Sequence, residues 1–334
     1  MKRLGVAVVG LGIGEKHLRA YQKDSRCEIR WVLDHNHVKA KNLAEETGAG
    51  AASDYQAIVS DETVKIVSIA SFDDDHASQV IQALIAGKHV FVEKPMCQTV
   101  EQLKKIQQIW SVQNGRLKLA SNLILRATPV YQWLKDRIQT GELGKIYSFD
   151  GEYLYGRLHK ITDGWRNAVE NYSVMEGGGV HLIDLMLWLI NERPQTVFSM
   201  GNRISTEGTK FRYNDFVESI MQMESGLVAH ITANFGSVHR HQHVVRVFGT
   251  KGTFIYDDMG ARVHWNRDED QKAEMLSMPT LPADKGDLIP DFISAVLDDR
   301  DIREQTQVVF DGISISAACD RALITKRLET IDYL

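Results

Sequence analysis

Three glycines near the N-terminus carry the clearest chemical signal in this chain. Gly10, Gly12 and Gly14 follow an apolar run at residues 6–9 and precede a helical pattern. A strand that turns into a helix through glycines exposes backbone N–H groups at the positive end of a helix dipole, a combination that binds pyrophosphate. The usual G-x-G-x-x-G fingerprint would place its third glycine at position 15, where this chain has Glu15. Because that third glycine serves only close packing of helix and strand, we expect the shortened turn to bind a dinucleotide.

An acidic residue follows this turn at the expected distance. Asp34 ends the next strand-like run, residues 28–34, and a ribose-binding acid is expected about 20 residues after the glycines. A carboxylate there accepts hydrogen bonds from ribose hydroxyls and repels a 2′-phosphate, which favours NAD over NADP. The neighbouring His35 weakens that preference, since a cationic imidazole would tolerate the phosphate. The alternative is a surface carboxylate that caps the helix beginning near Val38.

A lysine further along the chain is a candidate for binding a substrate oxygen. Glu93, Lys94 and Pro95 follow a strand-like run at residues 90–92. Ligands of open α/β sheets bind at the carboxyl ends of the strands. Proline after a strand can fix an unusual backbone path, of which a cis peptide bond is one form, and so aim Lys94 into a cleft. The alternative is a surface lysine paired with Glu93.

A histidine in the second half is a candidate for proton transfer. Glycines 177–179 open an amphipathic helical pattern in which His181 and Asp184 share one face. Glycines at a helix start allow a substrate to approach closely, and a histidine can take and return a proton near neutral pH. The alternative is a structural, hydrogen-bonded histidine.

The elements that must position these residues change character near residue 122. Before it, apolar runs alternate with helical patterns, which predicts a parallel sheet with helices on both faces. The strand-like runs are residues 5–9, 29–33, 64–70, 90–92 and 117–120, and the helical ones are 18–23, 38–46, 77–86 and 100–113. After it come longer, alternating runs at residues 146–155, 196–202, 216–223, 226–235, 244–248 and 252–256, with helical patterns at 127–138, 289–297 and 308–324. We therefore predict an α/β protein with a Rossmann domain at residues 1–122 and an α+β domain with a large, mostly antiparallel sheet at residues 123–334.

The composition excludes several classes of protein. The chain has 334 residues, 43% of them hydrophobic and 25% charged, and a net charge of −5, which gives no general attraction to nucleic acid or to anionic membranes. Cys27, Cys97 and Cys319 are too scattered for a disulfide framework or a zinc site. No secretory signal or membrane span follows the N-terminal basic residues. We expect a soluble protein in the cytoplasm.

Taken together, the motifs resemble those of the Gfo/Idh/MocA oxidoreductases over nearly the whole chain. They are the glycine turn with His17, residues 69–72 leading to His76, residues 86–90 leading to Glu93-Lys94-Pro95, and the segments 141–146, 178–184 and 248–252. The resemblance implies an N-terminal Rossmann domain that holds NAD or NADP and a C-terminal domain that binds substrate and supports a homodimer or homotetramer. It implies substrates among sugars, polyols and sugar derivatives.

The resemblance also implies roles for individual residues. Lys94 and His181 match the catalytic pair: His181 would take the hydroxyl proton while a hydride moves to the nicotinamide, and Lys94 would orient the oxygen and stabilise its developing negative charge. Asp34 and His35 would lie at the adenosine ribose. The residues implied at the pyrophosphate are Gly10, Gly12, Ile13 and Gly14, and those implied around the nicotinamide are Ser71, His76, Glu93, Lys94, Asn122, Trp165 and Arg166.

Side chains for substrate selection are expected in the second domain. Aromatic faces suit the C–H surfaces of a sugar, and guanidinium groups suit carboxylate or phosphate. The candidates are Tyr153, Tyr155, Arg157, Tyr172 and Asp184. The alternating His239, His241 and His243 lie on one face of a strand with no acidic ligand set nearby, so we expect no metal site. Arg240 and these histidines are further candidates for anion contacts.

One position departs from the family pattern. Many members carry an aspartate four residues before the histidine, and Gly177 stands there in this chain. Glu176 is a candidate replacement or simply a carboxylate at the helix start. Two hypotheses therefore remain: an NAD(P)-dependent sugar or polyol dehydrogenase, and a cofactor-binding regulatory or sensor protein of the same fold. Retention of both Lys94 and His181 favours the enzyme.

Overall fold

A computed structural model describes residues 3–169 and 172–334, with the side chain of Trp165 not described. The chain forms two compact units. The first comprises the chain up to Ile124, Pro282–Phe310 and Leu334, and the second comprises Leu125–Leu281 and Asp311–Tyr333. The chain thus enters the second unit at Leu125 and returns to the first unit for residues 282–310.

The first unit contains a six-stranded parallel sheet with the strand order β3-β2-β1-β4-β5-β6. Its strands are β1 (Leu4–Val9), β2 (Cys27–Leu33), β3 (Gly50–Ala51), β4 (Val64–Ile69), β5 (His89–Val92) and β6 (Leu119–Ser121). This is the doubly wound order in which the strand sequence reverses between β1 and β4, and ligands bind at the carboxyl ends of the strands beside that reversal. The predicted Rossmann fold is confirmed.

Helices of the first unit connect these strands. They are α1 (Gly14–Lys23), α2 (His37–Thr47), α3 (Tyr55–Ser60), α4 (Asp73–Ile85) and α5 (Val100–Ser111), followed late in the chain by α9 (Ile289–Leu297). Side-chain caps begin α2, α3 and α5, because the N-terminal N–H groups of a helix lack partners within it. For α2 the cap is Asn36, whose Oδ1 accepts a hydrogen bond from the Lys39 N–H at 3.1 Å.

Helix α9 completes the hydrophobic core of the first unit. Ile289 and Ile293 are fully buried and share a core cluster with Val6 of β1 and Leu18 of α1. The Phe292 ring packs on Phe91 of β5 with 5.4 Å between centroids. Burial of several large apolar side chains provides the main favourable free energy for attaching this late segment.

The second unit is built on a nine-stranded sheet with the order β14-β13-β12-β11-β7-β10-β9-β8-β15. Its strands are β7 (Ile146–Leu154), β8 (Pro194–Asn202), β9 (Phe216–Met223), β10 (Val228–Asn234), β11 (Gln242–Gly249), β12 (Thr253–Asp257), β13 (Gly260–His264), β14 (Glu274–Met275) and β15 (Glu329–Thr330). Every neighbouring pair is antiparallel except β7 with β10. The predicted mostly antiparallel sheet is confirmed.

In the described part of the chain, three helices lie wholly within the second unit, and one of them, α8, packs on strand β7 of the sheet. The three are α6 (Pro129–Gln139), α7 (His159–Thr162) and α8 (Val180–Ile190), and a π-helical turn at Met175–Gly179 directly precedes α8. The last helix, α10 (Arg303–Thr325), begins in the first unit and ends in the second. None of the described helices combines the length and the apolar character that crossing a bilayer requires.

Candidate active site

The glycine turn has the shape that a pyrophosphate needs. Gly10 has φ +78°, and a Cβ there would lie 2.3 Å from the carbonyl oxygen of Ala70, so only glycine fits. At Gly12 a Cβ would find no atom of the described residues within 4 Å, so the space above the turn is open. A Cβ on Gly14 would lie 3.1 Å from the Ala70 side chain and 3.3 Å from that of Val8. Gly14 therefore allows close helix–strand packing one residue before its usual place.

Asp34 is built into this turn rather than into the start of α2. Its buried carboxylate accepts hydrogen bonds from the backbone N–H groups of Leu11 and, at 2.7 Å, Asn36. The exposed His35 ring places Nδ1 3.2 Å from Asp34 Oδ1. Because Asn36 caps α2, the alternative that Asp34 is the helix cap is wrong. The carboxylate is fixed beside the glycines, where a ribose would lie in this fold.

Lys94 follows β5 at the same carboxyl edge of the sheet. Its peptide bond to Pro95 is cis, which is the backbone form that the proline suggested. The Lys94 N–H donates to Glu93 Oε2 at 3.3 Å, while Glu93 Oε1 accepts a 2.7 Å hydrogen bond from Asn122 and lies 3.2 Å from Nε2 of His17. Burial alone would raise the pKa of Glu93, but hydrogen bonding and charge from His17, with Asn122 and Lys94, outweigh it and lower the pKa to about 2. Glu93 is therefore a carboxylate at neutral pH.

Other predicted cofactor residues line the same edge. His76, fully buried, donates from Nδ1 to the carbonyl oxygen of Pro95 at 2.7 Å and so ties α4 to the segment after β5. Ser71 donates to Gln79 at 2.7 Å. The Oδ1 atom of Asn122 is buried and accepts no hydrogen bond from any described residue. The donor set, the open glycine turn and this unused acceptor fit a bound dinucleotide.

His181 lies in the first turn of α8, within a group of aromatic rings. It is 7% exposed, and its ring stacks on Tyr153 of β7 with 5.9 Å between centroids and 14° between planes. The edge of His243 meets the His181 ring at 5.6 Å. Burial raises the pKa of Tyr153, although the positive charges of Arg166 and Arg157 oppose the shift. Tyr153 therefore stays a neutral hydroxyl over the physiological pH range.

The predicted substrate residues of the second unit surround Tyr153. Tyr155 stacks on it at 5.9 Å, Phe235 lies 5.5 Å away, and the guanidinium of Arg157 lies 5.7 Å from the Tyr155 ring. Trp165 belongs to a short 3₁₀ turn, and its side chain lies outside the described part of the structure. The second unit thus combines aromatic faces with nearby guanidinium groups, which suits a sugar-like molecule.

Tyr172 fills the space beside Gly177. A Cβ on Gly177 would lie 2.3 Å from the Tyr172 hydroxyl oxygen, and this hydroxyl accepts a hydrogen bond from Arg166 Nε at 3.1 Å. Gly177 is buried in the π-helical turn that leads to His181. The phenol of Tyr172 therefore occupies the space that a side chain at position 177 would need.

Asp184 is already held by another side chain. It is 1% exposed and forms a two-point ion pair with Arg126, in which Arg126 Nε donates to Oδ2 at 2.9 Å and Nη2 donates to Oδ1. This pairing fixes α8 to the segment before α6. Contact between Asp184 and a substrate stays a prediction.

The alternating histidines face two different environments. His241 and His243 both meet Tyr153 edge-on at 5.1 Å, whereas His239 bonds Asp258 through Nε2 at 2.8 Å. Arg240 donates to the same Asp258. Within residues 3–169 and 172–334, no three His, Cys, Asp or Glu side chains are arranged to hold a metal ion.

Several residues of this arrangement had no role in the sequence-based prediction. Phe235 and Arg126 belong to this group, and so does Ser68, which lies 3.0 Å from His17 Nδ1. His17 itself was noted only as part of a motif. Its helical spacing from Gly14 was the available signal, because a histidine one turn after the glycines lies on the face of α1 that packs on the sheet.

Comparison with known proteins agrees with this architecture. Residues 4–120 match the model of the oxidoreductase family with an NAD-binding Rossmann fold, and residues 131–255 match the model of the GFO/IDH/MocA C-terminal domain. Levoglucosan dehydrogenase of Pseudarthrobacter phenanthrenivorans is 26% identical over 291 residues, which cover 77% of this chain and 74% of that protein. The 2,7-anhydro-N-acetylneuraminate hydratase of Escherichia coli is 27% identical over 266 residues, covering 76% and 68%.

Solved structures show the same fold. Levoglucosan dehydrogenase in complex with NADH has a TM-score of 0.85 to this chain at 20% identity, with 100% of both chains covered. The complex of the same enzyme with NADH and L-sorbose has a TM-score of 0.84. Myo-inositol 2-dehydrogenase from Lactobacillus plantarum has a TM-score of 0.84 at 18% identity, covering 99% of this chain and 100% of that one. With both halves matched by family models, the chain belongs to the Gfo/Idh/MocA family of NAD-binding oxidoreductases.

Proposed function

We propose that this protein is a dehydrogenase or reductase that acts on a hydroxyl or carbonyl carbon of a sugar, polyol or sugar derivative. The observation that carries the proposal is the position of Lys94 at the same sheet edge as the glycine turn and Asp34. That edge is where a dinucleotide binds in this fold. When bound, the nicotinamide supplies or accepts the hydride.

In this proposal, Lys94 and His181 act on the oxygen atom of the reacting hydroxyl or carbonyl group of the substrate. Lys94 holds the oxygen through its ammonium group and stabilises the negative charge that develops there. His181 takes the hydroxyl proton during oxidation and returns it during reduction. The backbone N–H of Lys94 is bonded to Glu93, which fixes the main chain from which the ammonium group extends, and the His181 ring is buried against Tyr153. Both observations support these roles.

The remaining predicted residues have supporting roles. The turn at Gly10–Gly14 holds the pyrophosphate, Asp34 holds the ribose hydroxyls and favours NAD, and the rings of Tyr153 and Tyr155 contact the substrate. Arg157, Arg166, Tyr172 and Asp184 contact its polar groups. The names of relatives that act on levoglucosan and inositol support a carbohydrate substrate. We also propose that the protein forms a homodimer or homotetramer and that it acts in the cytoplasm.

Purified protein with NAD or NADP and a panel of sugars, inositols and uronic acids tests this function. We expect turnover with at least one compound, and a loss of about 10²- to 10⁴-fold in kcat for Lys94→Ala or His181→Ala, the range expected for lost acid–base or electrostatic assistance. Lys105→Ala is the matched control, because Lys105 is an exposed side chain of α5. Tight NADH binding without turnover of any compound would instead indicate a cofactor-binding sensor.

A further inference from the structure

A buried histidine joins the helix of the glycine turn to the segment that carries Lys94. His17 lies in the first turn of α1, and its side chain is fully buried. Nδ1 lies 3.0 Å from Ser68 Oγ on β4, and Nε2 lies 3.2 Å from Glu93 Oε1 after β5. Nε2 also lies 3.2 Å from Nδ2 of Asn122, but the two protons of that amide go to Glu93 Oε1 and to the carbonyl oxygen of Lys285. Since a carboxylate can only accept, we assign a proton to Nε2, which donates it to Glu93.

Glu93 uses its two oxygens for different partners. Oε1 accepts from His17 and from Asn122, whose Nδ2 also donates to the carbonyl oxygen of Lys285 at 2.8 Å. Oε2 accepts from the Lys94 N–H, and the positive charge of Lys94 contributes to the lowered pKa of Glu93. Any displacement of this carboxylate therefore changes both the backbone and the electrostatic surroundings of Lys94.

An apolar side chain at position 17 would satisfy packing without these bonds. The His17 ring meets Phe91 edge-on at 5.4 Å and is fully buried. Burying an imidazole is unfavourable unless its nitrogens have partners. Both nitrogens of His17 have partners, and one of them is the carboxylate adjacent to the proposed oxygen-binding lysine.

Resting on the proposed role of Lys94, we propose that His17 is a positioning residue that acts through Glu93. By holding the Glu93 carboxylate, it fixes the Lys94 segment to α1, the helix that receives the pyrophosphate. The glycine turn that holds the cofactor and the segment that carries Lys94 are then held rigidly to each other. His17 itself contacts neither substrate nor the reacting atoms in this proposal.

Three variants test the proposal. His17→Phe keeps the ring and the contact with Phe91 but removes the donor, His17→Gln keeps a donor that reaches Glu93, and Arg19→Gln on the outer face of α1 is the control. We expect His17→Phe to lower kcat by about 10- to 100-fold, because small displacements of catalytic groups have costs of that order, with the KM for NAD changed less than about twofold. His17→Gln recovers most of that loss, and Arg19→Gln matches the wild type.

Two readouts separate positioning from general damage. In the protein without cofactor, hydrogen–deuterium exchange of the peptide containing Lys94 becomes faster in His17→Phe than in Arg19→Gln. In a double-mutant cycle, His17→Phe has little further effect on kcat in a Glu93→Gln background, because both changes remove the same link. In the Glu93→Gln background there is no carboxylate that has lost its imidazole donor. The double variant is therefore expected to fold even if His17→Phe alone does not.

The outcomes are distinct from those that test the function. Additive effects in the cycle, or exchange and kcat in His17→Phe equal to those of Arg19→Gln, would overturn the positioning role. Absence of turnover in the wild type, or full activity of Lys94→Ala, would remove the proposed function, and the exchange rates alone would then decide whether His17 fixes the Lys94 segment.

Discussion

The hydroxyl of Tyr172 occupies the space that a side chain at position 177 would need. A Cβ on Gly177 would lie 2.3 Å from that oxygen and 2.9 Å from the ring carbon that bears it. Real Cβ atoms essentially never approach so closely, and the phenol is also bonded by Arg166. Glycine at 177 and tyrosine at 172 are therefore matched to each other.

This match makes Gly177→Ala destabilising. We expect a loss of about 1–3 kcal/mol in the free energy of unfolding, the usual cost of forcing an extra methyl group into a packed site, measured by urea denaturation. Tyr172→Ala combined with Gly177→Ala should cost less than the sum of the two single changes. The control is Gly312→Ala in α10, where a Cβ meets no described atom within 4 Å and helix propensity predicts a gain of about 0.5–1 kcal/mol. Equal effects at 177 and 312 would contradict the match.

Cofactor preference should depend on Asp34. In Asp34→Asn the negative charge is gone, so the repulsion of a 2′-phosphate disappears, and we expect the ratio of NADH to NADPH affinity to fall by about tenfold, or about 1.4 kcal/mol. Fluorescence titration with both cofactors measures the ratio, and urea denaturation shows whether the turn with Leu11 is still held. His35→Gln is the comparison variant. An unchanged ratio in Asp34→Asn would assign the preference to other residues.

Acid should weaken the first unit through Glu93. Its pKa is about 2 in the folded protein against an ordinary value of 4.5, so its contribution to stability is complete above about pH 5 and is lost as the pH falls toward 2. Linkage gives this contribution a size of about 3 kcal/mol. Denaturation curves between pH 7 and pH 2.5 should show a shallower decline for Glu93→Gln than for the wild type. Parallel curves for the two proteins would show that Glu93 does not titrate with folding.

Breaking the pair between Arg126 and Asp184 should be costly, because it leaves a buried carboxylate without its partner. Arg126→Met is expected to lose about 3–5 kcal/mol of unfolding free energy, and Arg126→Met with Asp184→Leu should recover much of it. The exposed pair of Arg137 with Glu142 supplies the control, since Arg137→Met should cost at most about 1 kcal/mol. If the double variant were no more stable than Arg126→Met, the loss would not come from the unpaired charge.

Much of the fold follows from local patterns in the sequence. Long alternating runs predicted the strands from β7 to β12, and the alternation of apolar runs with helical patterns predicted the parallel sheet. The short β3 and α3 escaped prediction because a two-residue strand and a six-residue helix are too short to show a clear periodicity. The return of residues 282–310 to the first unit depends on packing against distant residues such as Val6, which no local pattern encodes.

The candidate site was predictable where residue type limits the chemistry. Gly10 needs a positive φ, and a proline after a strand restricts the path of Lys94, so both are visible in the sequence. The side chain with which each polar residue pairs could not be predicted from the sequence. Asp184 pairs with Arg126, 58 residues away, and His17 pairs with Glu93, 76 residues away, and such separations are set only by the folded topology.

Attachment of α9 to the first unit has a consequence for synthesis on the ribosome. Ile289, Phe292 and Ile293 complete the core around β1 and α1, and the ribosome makes them only after the whole nine-stranded sheet except β15. Part of the apolar surface of the nascent N-terminal unit therefore stays uncovered while residues 125–288, about half of the polypeptide, are being added. A chain stopped at residue 281 would keep this surface exposed, and exposed apolar surface of this kind promotes aggregation.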